Sequence, residues 1–204
     1  MDYSWAQSRR AFDDAADWYL ATVGLVGDRW QQPGLGEWTV RDLVGHASRS
    51  FLTIETYLAR PAGSVEIASP SDYYLATRAI AAGPDVAQRG RDAAAALGAD
   101  PVTAVREIAT RVRGLLDEHD GSALLTTIAG GMRLVDYLPT RTFELVVHTA
   151  DLALALGEPL DAPARAAAQV LRIITDIAIT DGTAASLLLL ATGRTGLSAR
   201  FSVL

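Results

Sequence analysis

The sequence contains three histidines, and the surroundings of two of them, His46 and His148, could support metal chemistry. In the segment TFELVVHTADL, Glu144 and His148 are four residues apart, so a helix would place both side chains on one face. His46 lies in the earlier segment LVGHASR. Two imidazoles and one carboxylate form a ligand set that zinc accepts at about 2.0–2.2 Å. Three protein ligands would leave a coordination position open, as in catalytic metal sites.

The segment around His148 is polar along one stripe and apolar elsewhere. Helical geometry places its polar residues within a sector roughly 80° wide: Arg141, Glu144, His148 and Asp151. Such a stripe can simply face water, and Glu-x-x-x-His pairs also occur by chance. The rest of the circumference is apolar, however, and a helix that is apolar nearly all round is usually buried. Burying Glu144 without a partner would be unfavourable, and a bound cation offsets that cost.

His46 lies on the side of its helix away from the charged residues Arg41 and Glu55, which helical geometry places roughly 140–180° from it. Other residues share its sector: Asp42, Arg49, Thr53 and Tyr57. This arrangement predicts the wall of a polar cleft. The alternative is a histidine that is satisfied within the core.

The remaining candidates near these positions have simpler interpretations. His119 follows a helical segment just before Asp-Gly, where a cation favours the helix C-terminus, so a capping role is expected rather than metal binding. Asp42 and Asp151 each lie within a helical turn of a proposed ligand and could accept hydrogen bonds that orient the imidazoles. Ordinary surface carboxylates are the alternative.

Four long segments show the three- and four-residue spacing of apolar residues that predicts helices. They cover residues 4–23, 39–60, 102–119 and 135–156. Thr39 and Asp42 have the spacing of an N-cap at the start of the second helix. Shorter helices are predicted over 73–82 and 84–97. The segment DGSALLTTIAGGMRL predicts a connection with at most a short strand.

These elements predict an all-α four-helix bundle with additional short helices and a short C-terminal extension. We place the bundle at residues 1–157 and the extension at residues 158–204, which is short for an independent domain. The extension contains a further helix, the apolar segment AASLLLLATGR and the segment LSARFSVL, for which an extended tail is expected. We expect it to pack on the bundle or on a second copy.

Composition excludes several classes of function. The formal net charge is −6 and no dense cluster of basic residues is present, so nucleic acid is not expected as a partner. There is no cysteine, which excludes disulfides, thiolate metal ligands and a cysteine nucleophile. The sequence shows neither a signal peptide nor an apolar run long enough for a membrane span. A soluble cytoplasmic protein without membrane partners is therefore expected.

Two separated segments resemble motifs of one known family. W…PGLGEWTVRDLVGHASR is similar to the N-terminal segment of the mycothiol-dependent maleylpyruvate isomerase family, within the DinB/YfiT-like superfamily of metal-binding four-helix bundles. GGMRLVDYLPTRTFELVVHTADLALALG resembles the later motif of that family, which supplies metal ligands. The resemblance covers about residues 5–157. It implies a DinB-like bundle whose metal ligands are His46, Glu144 and His148.

The resemblance also implies a chemistry. In this family the metal, usually zinc, binds and activates a low-molecular-weight thiol such as mycothiol, which then attacks a small electrophile. The family's characterised isomerases carry a further α/β domain that helps to form the active site, and this chain is too short to include a full one. The segment LLLLATGRTG is similar to the end of that domain, which makes Arg194 a further candidate for the site.

We therefore expect a metal-dependent, thiol-dependent transferase or isomerase whose partners are a small-molecule thiol and an electrophile. Arg49 and Arg141, each near a proposed ligand on its helix, are the candidate catalytic residues, because either could stabilise an anionic group. One alternative is a non-catalytic protein that binds a metal or small ligand. Another is a helical interaction module that forms a homodimer through the apolar residues Leu187–Leu190.

Overall fold

The computed structural model describes residues 3–81, 85–194 and 196. Within these ranges the chain forms eight α-helices and one antiparallel β-hairpin. In chain order the elements are α1 (Trp5–Gly24), a 3-10 helix (Arg29–Gln31), α2 (Val40–Leu58), α3 (Pro70–Ala81), α4 (Asp85–Ala96), α5 (Pro101–Asp117), β1 (Leu124–Thr127), β2 (Gly130–Arg133), α6 (Leu134–Leu156), α7 (Ala164–Thr180) and α8 (Ala184–Ala191).

The four long helices of the prediction are α1, α2, α5 and α6, and their ends lie within two residues of the predicted ones. Helices α1 and α2 each pack against both α5 and α6, so the four surround one core. The rings of Phe12 on α1 and Phe51 on α2 meet edge to face at the centre, with 5.6 Å between centroids. The predicted all-α, DinB-like bundle is therefore confirmed.

Local sequence signals fix where α2 begins and where α6 ends. Thr39 caps α2: its hydroxyl accepts from the Asp42 backbone N–H at 3.2 Å, and Asp42 Oδ2 accepts from the Thr39 backbone N–H at 3.0 Å. This reciprocal capping box confirms the predicted N-cap. Helix α6 ends at Gly157, whose φ of 70° is the left-handed conformation that glycine adopts at helix ends.

Three shorter elements pack around the bundle. The predicted connection before α6 is the hairpin β1–β2, in which Leu124 pairs with Arg133. Helix α3 packs on α6 and α7, and α4 packs along α2. Helix α3 begins at Pro70, three residues before the predicted start at Tyr73. Of the predicted limits of these two helices, residues 82 and 84 lie outside the described residues.

Gly45 allows α4 to approach α2 closely. A Cβ at this position would lie 2.3 Å from the backbone N of Ala94 and 2.4 Å from its Cα. Because backbone atoms block the space, Gly45→Ala requires α4 to move. We expect this substitution to lower the free energy of unfolding by about 1–3 kcal/mol, as overpacking usually does. Urea denaturation of the purified protein measures this change.

Gly114→Ala is the matched control for that substitution. Gly114 also lies within a helix, α5, but no atom lies within 4 Å of the position that its Cβ would take. Replacing it should raise the free energy of unfolding by up to about 1 kcal/mol, because alanine favours the helix more than glycine does. A Gly45→Ala protein that gained as much stability as Gly114→Ala would contradict the close contact of α2 with α4.

The segment after Gly157 packs partly on the bundle. Helix α7 contacts α1, α3 and α6. It contributes four residues to the common core: Ala166, Val170, Ile173 and Ile177. Helix α8 has no buried residue, and Leu188 on it is 66% exposed. The division at residue 157 stays a prediction, and LSARFSVL, expected to be extended, lies outside the described residues.

No helix in the described ranges has the length and apolarity to span a membrane.

Candidate metal centre

The three proposed ligands meet at the interface of α2 and α6. His46, Glu144 and His148 each present a nitrogen or oxygen atom, and these atoms lie within 4.8 Å of one another. The rings of His46 and His148 are nearly perpendicular, with centroids 4.8 Å apart. His148 Nε2 lies 3.3 Å from Glu144 Oε2. The structure thus brings together the residues that the sequence analysis selected as a ligand set.

The antiparallel packing of α2 against α6 produces this arrangement. His46 contacts His148 at one end of the helix pair, and Tyr57 contacts Tyr137 toward the other, with 5.4 Å between ring centroids. Residues later in α2 therefore face residues earlier in α6. Because Glu144 and His148 are about one helical turn apart, both lie on the same face of α6.

Glu144 is held in its ionised form by its neighbours. The Tyr74 hydroxyl on α3 donates to Glu144 Oε1 at 2.9 Å, with the Thr140 carbonyl oxygen 3.0 Å away as an alternative acceptor. Burial alone would raise the pKa of Glu144. The hydrogen bond with His148 and the positive charge of Arg141 outweigh burial and lower that pKa to about 2. The carboxylate is therefore charged throughout the physiological pH range.

His148 is oriented by Asp151, as predicted for a carboxylate one turn away. His148 Nδ1 lies 3.2 Å from Asp151 Oδ2, which leaves Nε2 on the side of Glu144. Burial opposes the charged imidazolium, but the hydrogen bonds and charges of Asp151 and Glu144 prevail and raise the pKa of His148 to about 9. Without a metal, the ring is therefore protonated at neutral pH.

Of the two roles considered for Asp42, the structure does not support the orientation of His46. The Asp42 carboxylate accepts hydrogen bonds from the backbone N–H and the hydroxyl of Thr39, so it belongs to the cap of α2. His46 instead stacks on Trp38, with 4.4 Å between ring centroids. The Trp38 indole is fixed by donating to the Ala87 carbonyl oxygen at 3.1 Å. An aromatic ring, rather than a carboxylate, holds His46 in place.

His46 offers an unprotonated nitrogen to the site. Burial and the positive charge of His148 lower the pKa of His46 to about 3, so its ring is neutral at pH 7. Its Nδ1 is buried and has no hydrogen-bond partner among the described residues. A buried polar atom without a partner is unfavourable, and a neutral imidazole is the form that ligates metals. A neutral histidine, an ionised carboxylate and an oriented second histidine fit a divalent metal ion.

A pocket of about 740 Å³ opens onto these residues. Its walls come from α2, α3, α4 and α6, with Leu35 and Trp38 from the connection before α2 and Ile128 from the hairpin turn. The side chains of His148 and Glu144 remain 15% and 24% exposed. The site is therefore accessible to a small molecule, and a pocket of this size accommodates typical small ligands.

The two predicted catalytic arginines differ in their environment. Arg49 is half-buried and lines the pocket one turn after His46. Arg141 also lines the pocket but is only 7% exposed, with its guanidinium 4.9 Å from the ring centroid of Tyr137 and 5.5 Å from that of Tyr73. Their catalytic roles stay predictions. Arg194 is exposed and is not among the residues that line this pocket.

Tyr74 and Arg89 are among the pocket residues that sequence reasoning missed. They lie on α3 and α4, whose helical character was predicted but whose orientation was not. No spacing signal connects either residue to His46 or Glu144, because their positions follow from packing between distant segments. His119 follows the end of α5 at Asp117 and does not line the pocket, in agreement with its predicted exclusion from the metal site.

Comparison with known proteins supports the resemblance found in the sequence. A family model described as the mycothiol maleylpyruvate isomerase N-terminal domain matches residues 13–153. Comparisons with curated proteins and with solved structures found no significant match. The matched range covers more than half of the chain and includes all three candidate ligands. The chain therefore belongs to the mycothiol maleylpyruvate isomerase N-terminal domain family.

Proposed function

We propose that this protein binds one divalent metal ion, preferably zinc, through His46, Glu144 and His148. With that ion and a low-molecular-weight thiol such as mycothiol, the protein would act on a small electrophile. It would either transfer the thiol to the electrophile or isomerise the electrophile. The observation that supports this proposal best is the convergence of the three donor atoms within 4.8 Å beside an open pocket. Membership of the family supports the same chemistry.

The bound metal would supply a Lewis acid that lowers the pKa of a thiol. The chain's own residues contribute the remaining requirements. It has no cysteine, so the thiol must come from outside, and the pocket has a size typical of small-molecule sites. Tyr74 and Asp151 fix Glu144 and His148 through hydrogen bonds, as residues that orient metal ligands commonly do.

A cobalt-substituted protein provides the test of this function. Millimolar mycothiol, or a surrogate thiol, should produce a sulfur-to-cobalt charge-transfer absorption band when added to the protein. Glu144→Ala should abolish the band, because it removes the anionic ligand. His119→Ala should leave it unchanged, since His119 does not line the pocket. A conjugation screen with small electrophiles then identifies the reaction.

The same experiment separates the proposal from its alternative. If the protein binds cobalt in a 1:1 ratio but no thiol perturbs its spectrum, the thiol-dependent function is wrong. A non-catalytic metal-binding protein is then the better account. If cobalt itself does not bind, both accounts fail.

A further inference from the structure

Two arginines in the pocket have no charged partner. Arg49 on α2 and Arg89 on α4 both line the pocket and are half-buried. Within the described ranges, neither side chain forms an ion pair or a hydrogen bond with another residue. Both guanidinium groups are therefore available to a ligand.

Eight other arginines of the described residues are paired with carboxylates. Ion pairs to aspartate or glutamate are formed by Arg9, Arg29, Arg78, Arg91, Arg111, Arg113, Arg133 and Arg165. With a net charge of −6, the protein has a surplus of carboxylates. Arg10 and Arg60 also form no ion pair within the described ranges, but they are exposed to solvent, whereas Arg49 and Arg89 are half-buried in the pocket.

The charge inside the pocket is also unbalanced. Burial and the nearby positive charge of Arg89 lower the pKa of Arg49, with a further contribution from Arg141. Among the described residues that line the pocket, Glu144 is the only acidic one, and it is already engaged by Tyr74 and His148. A bound anion would relieve the repulsion between the guanidinium groups.

Arg141 is less suited to bind this anion directly. Its guanidinium is packed against the rings of Tyr73 and Tyr137, and its Nε donates to the Thr140 hydroxyl at 3.0 Å. Arg49, in contrast, lies three residues after His46, about 4.5 Å further along the axis of α2. Arg89 precedes Gly90, which lies against the Trp38 ring that stacks on His46, so Arg89 is at the His46 end of the pocket.

We infer that Arg49 and Arg89 form an anion-binding subsite beside the metal centre, which takes a carboxylate or phosphate group of a small organic ligand. Guanidinium groups bind both anions through paired, charge-assisted hydrogen bonds. Val86 and Ile80 line the same pocket, so the rest of the ligand has apolar contacts available. Identifying this ligand as the electrophilic substrate rests on the proposed function, whereas anion binding itself does not require the metal.

Calorimetric titration of the metal-free protein tests the subsite, because without metal an anion cannot bind by coordination. The probes are benzoate and inorganic phosphate in a chloride-free buffer. We expect saturable 1:1 binding of at least one of them, and the preferred probe shows whether the group is a carboxylate or a phosphate. Arg49→Gln and Arg89→Gln should each weaken binding at least about tenfold, because each removes charge-assisted hydrogen bonds.

Arg91→Gln is the matched control. Arg91 lies on α4 two residues after Arg89, but it contacts Gln88 and Glu37 and does not line the pocket. Its substitution should leave anion affinity unchanged. Arg49→Lys and Arg89→Lys, which keep the charge, should weaken binding less than the glutamine variants do and protect the test against a variant that misfolds.

Two results would overturn the subsite. One is the absence of saturable binding of either probe by the folded metal-free protein. The other is binding that Arg49→Gln and Arg89→Gln leave as tight as Arg91→Gln does. Zinc content, measured on the same variants, separates the two proposals. A variant that loses anion binding but keeps full zinc occupancy bears only on the anion subsite. Absence of zinc from the unsubstituted protein bears only on the metal centre.

Discussion

Replacing His148 by alanine is expected to lower the affinity for zinc by more than about 100-fold, since changes to residues that merely orient metal ligands already cost about 10–100-fold. The same loss is expected for His46→Ala. The two residues lie on different helices, α6 and α2, so each variant removes one donor and leaves the other helix intact. Competition with a chromophoric chelator measures the affinity, and elemental analysis measures the metal content.

His119→Ala is the control for both variants, because it removes a histidine that lies outside the pocket. It should retain one zinc ion per chain. The decisive protein is the double variant His46→Ala, His148→Ala, which keeps only the carboxylate of the set. Stoichiometric zinc in that protein would show that the metal site is elsewhere. Nickel or cobalt in place of zinc would leave the ligand assignment intact, because such N/N/O sites accept several divalent ions.

The affinity for zinc is expected to rise about tenfold for each pH unit between pH 6 and 8, because binding must displace one proton. That proton is on His148, whose pKa in the metal-free protein is raised to about 9. His46 and Glu144, with pKa values lowered to about 3 and about 2, are already unprotonated in this range. Calorimetry in buffers of different ionisation enthalpy should detect release of about one proton per zinc ion.

The metal-free protein should show the opposite dependence of stability on pH. The folded-state pKa of His148 lies above its ordinary value of 6.5, so protonation stabilises the fold. This contribution is complete below about pH 6.5 and is lost as the pH rises through about 9. Thermal unfolding of metal-free protein should therefore occur at lower temperature at pH 9.5 than at pH 7.

Asp151→Asn distinguishes His148 from other groups that titrate in this range. The substitution removes a carboxylate that raises the pKa of His148, so the affinity for zinc should reach its plateau at a lower pH. An affinity that did not change between pH 6 and 8 in the unsubstituted protein would contradict the assignment of the displaced proton to His148.

The proximity of Glu144 and His148 could be predicted because it depends on local geometry. Helical periodicity alone puts Glu144 and His148 on one face, and the cap at Thr39 fixes where α2 starts relative to His46. The apolar circumference of α6 indicated burial, and most of its residues are indeed buried. The family motifs then connected the two helices, which periodicity by itself could not do.

The rest of the pocket depends on contacts between distant segments. Arg89 faces the pocket because α4 packs closely on Gly45 and because Gly90 lies against the Trp38 ring, and neither contact has a periodic signal. For Asp42, the sequence suggested a contact that the structure does not contain. Its position on the helix was compatible with orienting His46, but the backbone at the start of α2 takes its carboxylate first. Helical geometry gives the direction of a side chain but not its strongest partner.

The pocket is built from two kinds of chain segment, which differ in how many residues they contribute to the core. The candidate ligands lie on α2 and α6, which also carry the core of the bundle, so substitutions there endanger folding and metal binding together. Helices α3 and α4 supply Ile80, Val86 and Arg89 to the same pocket. Substitutions at those three positions are expected to leave His46 and His148 in place. Changes there would alter which molecules the pocket accepts without replacing any of the three candidate ligands.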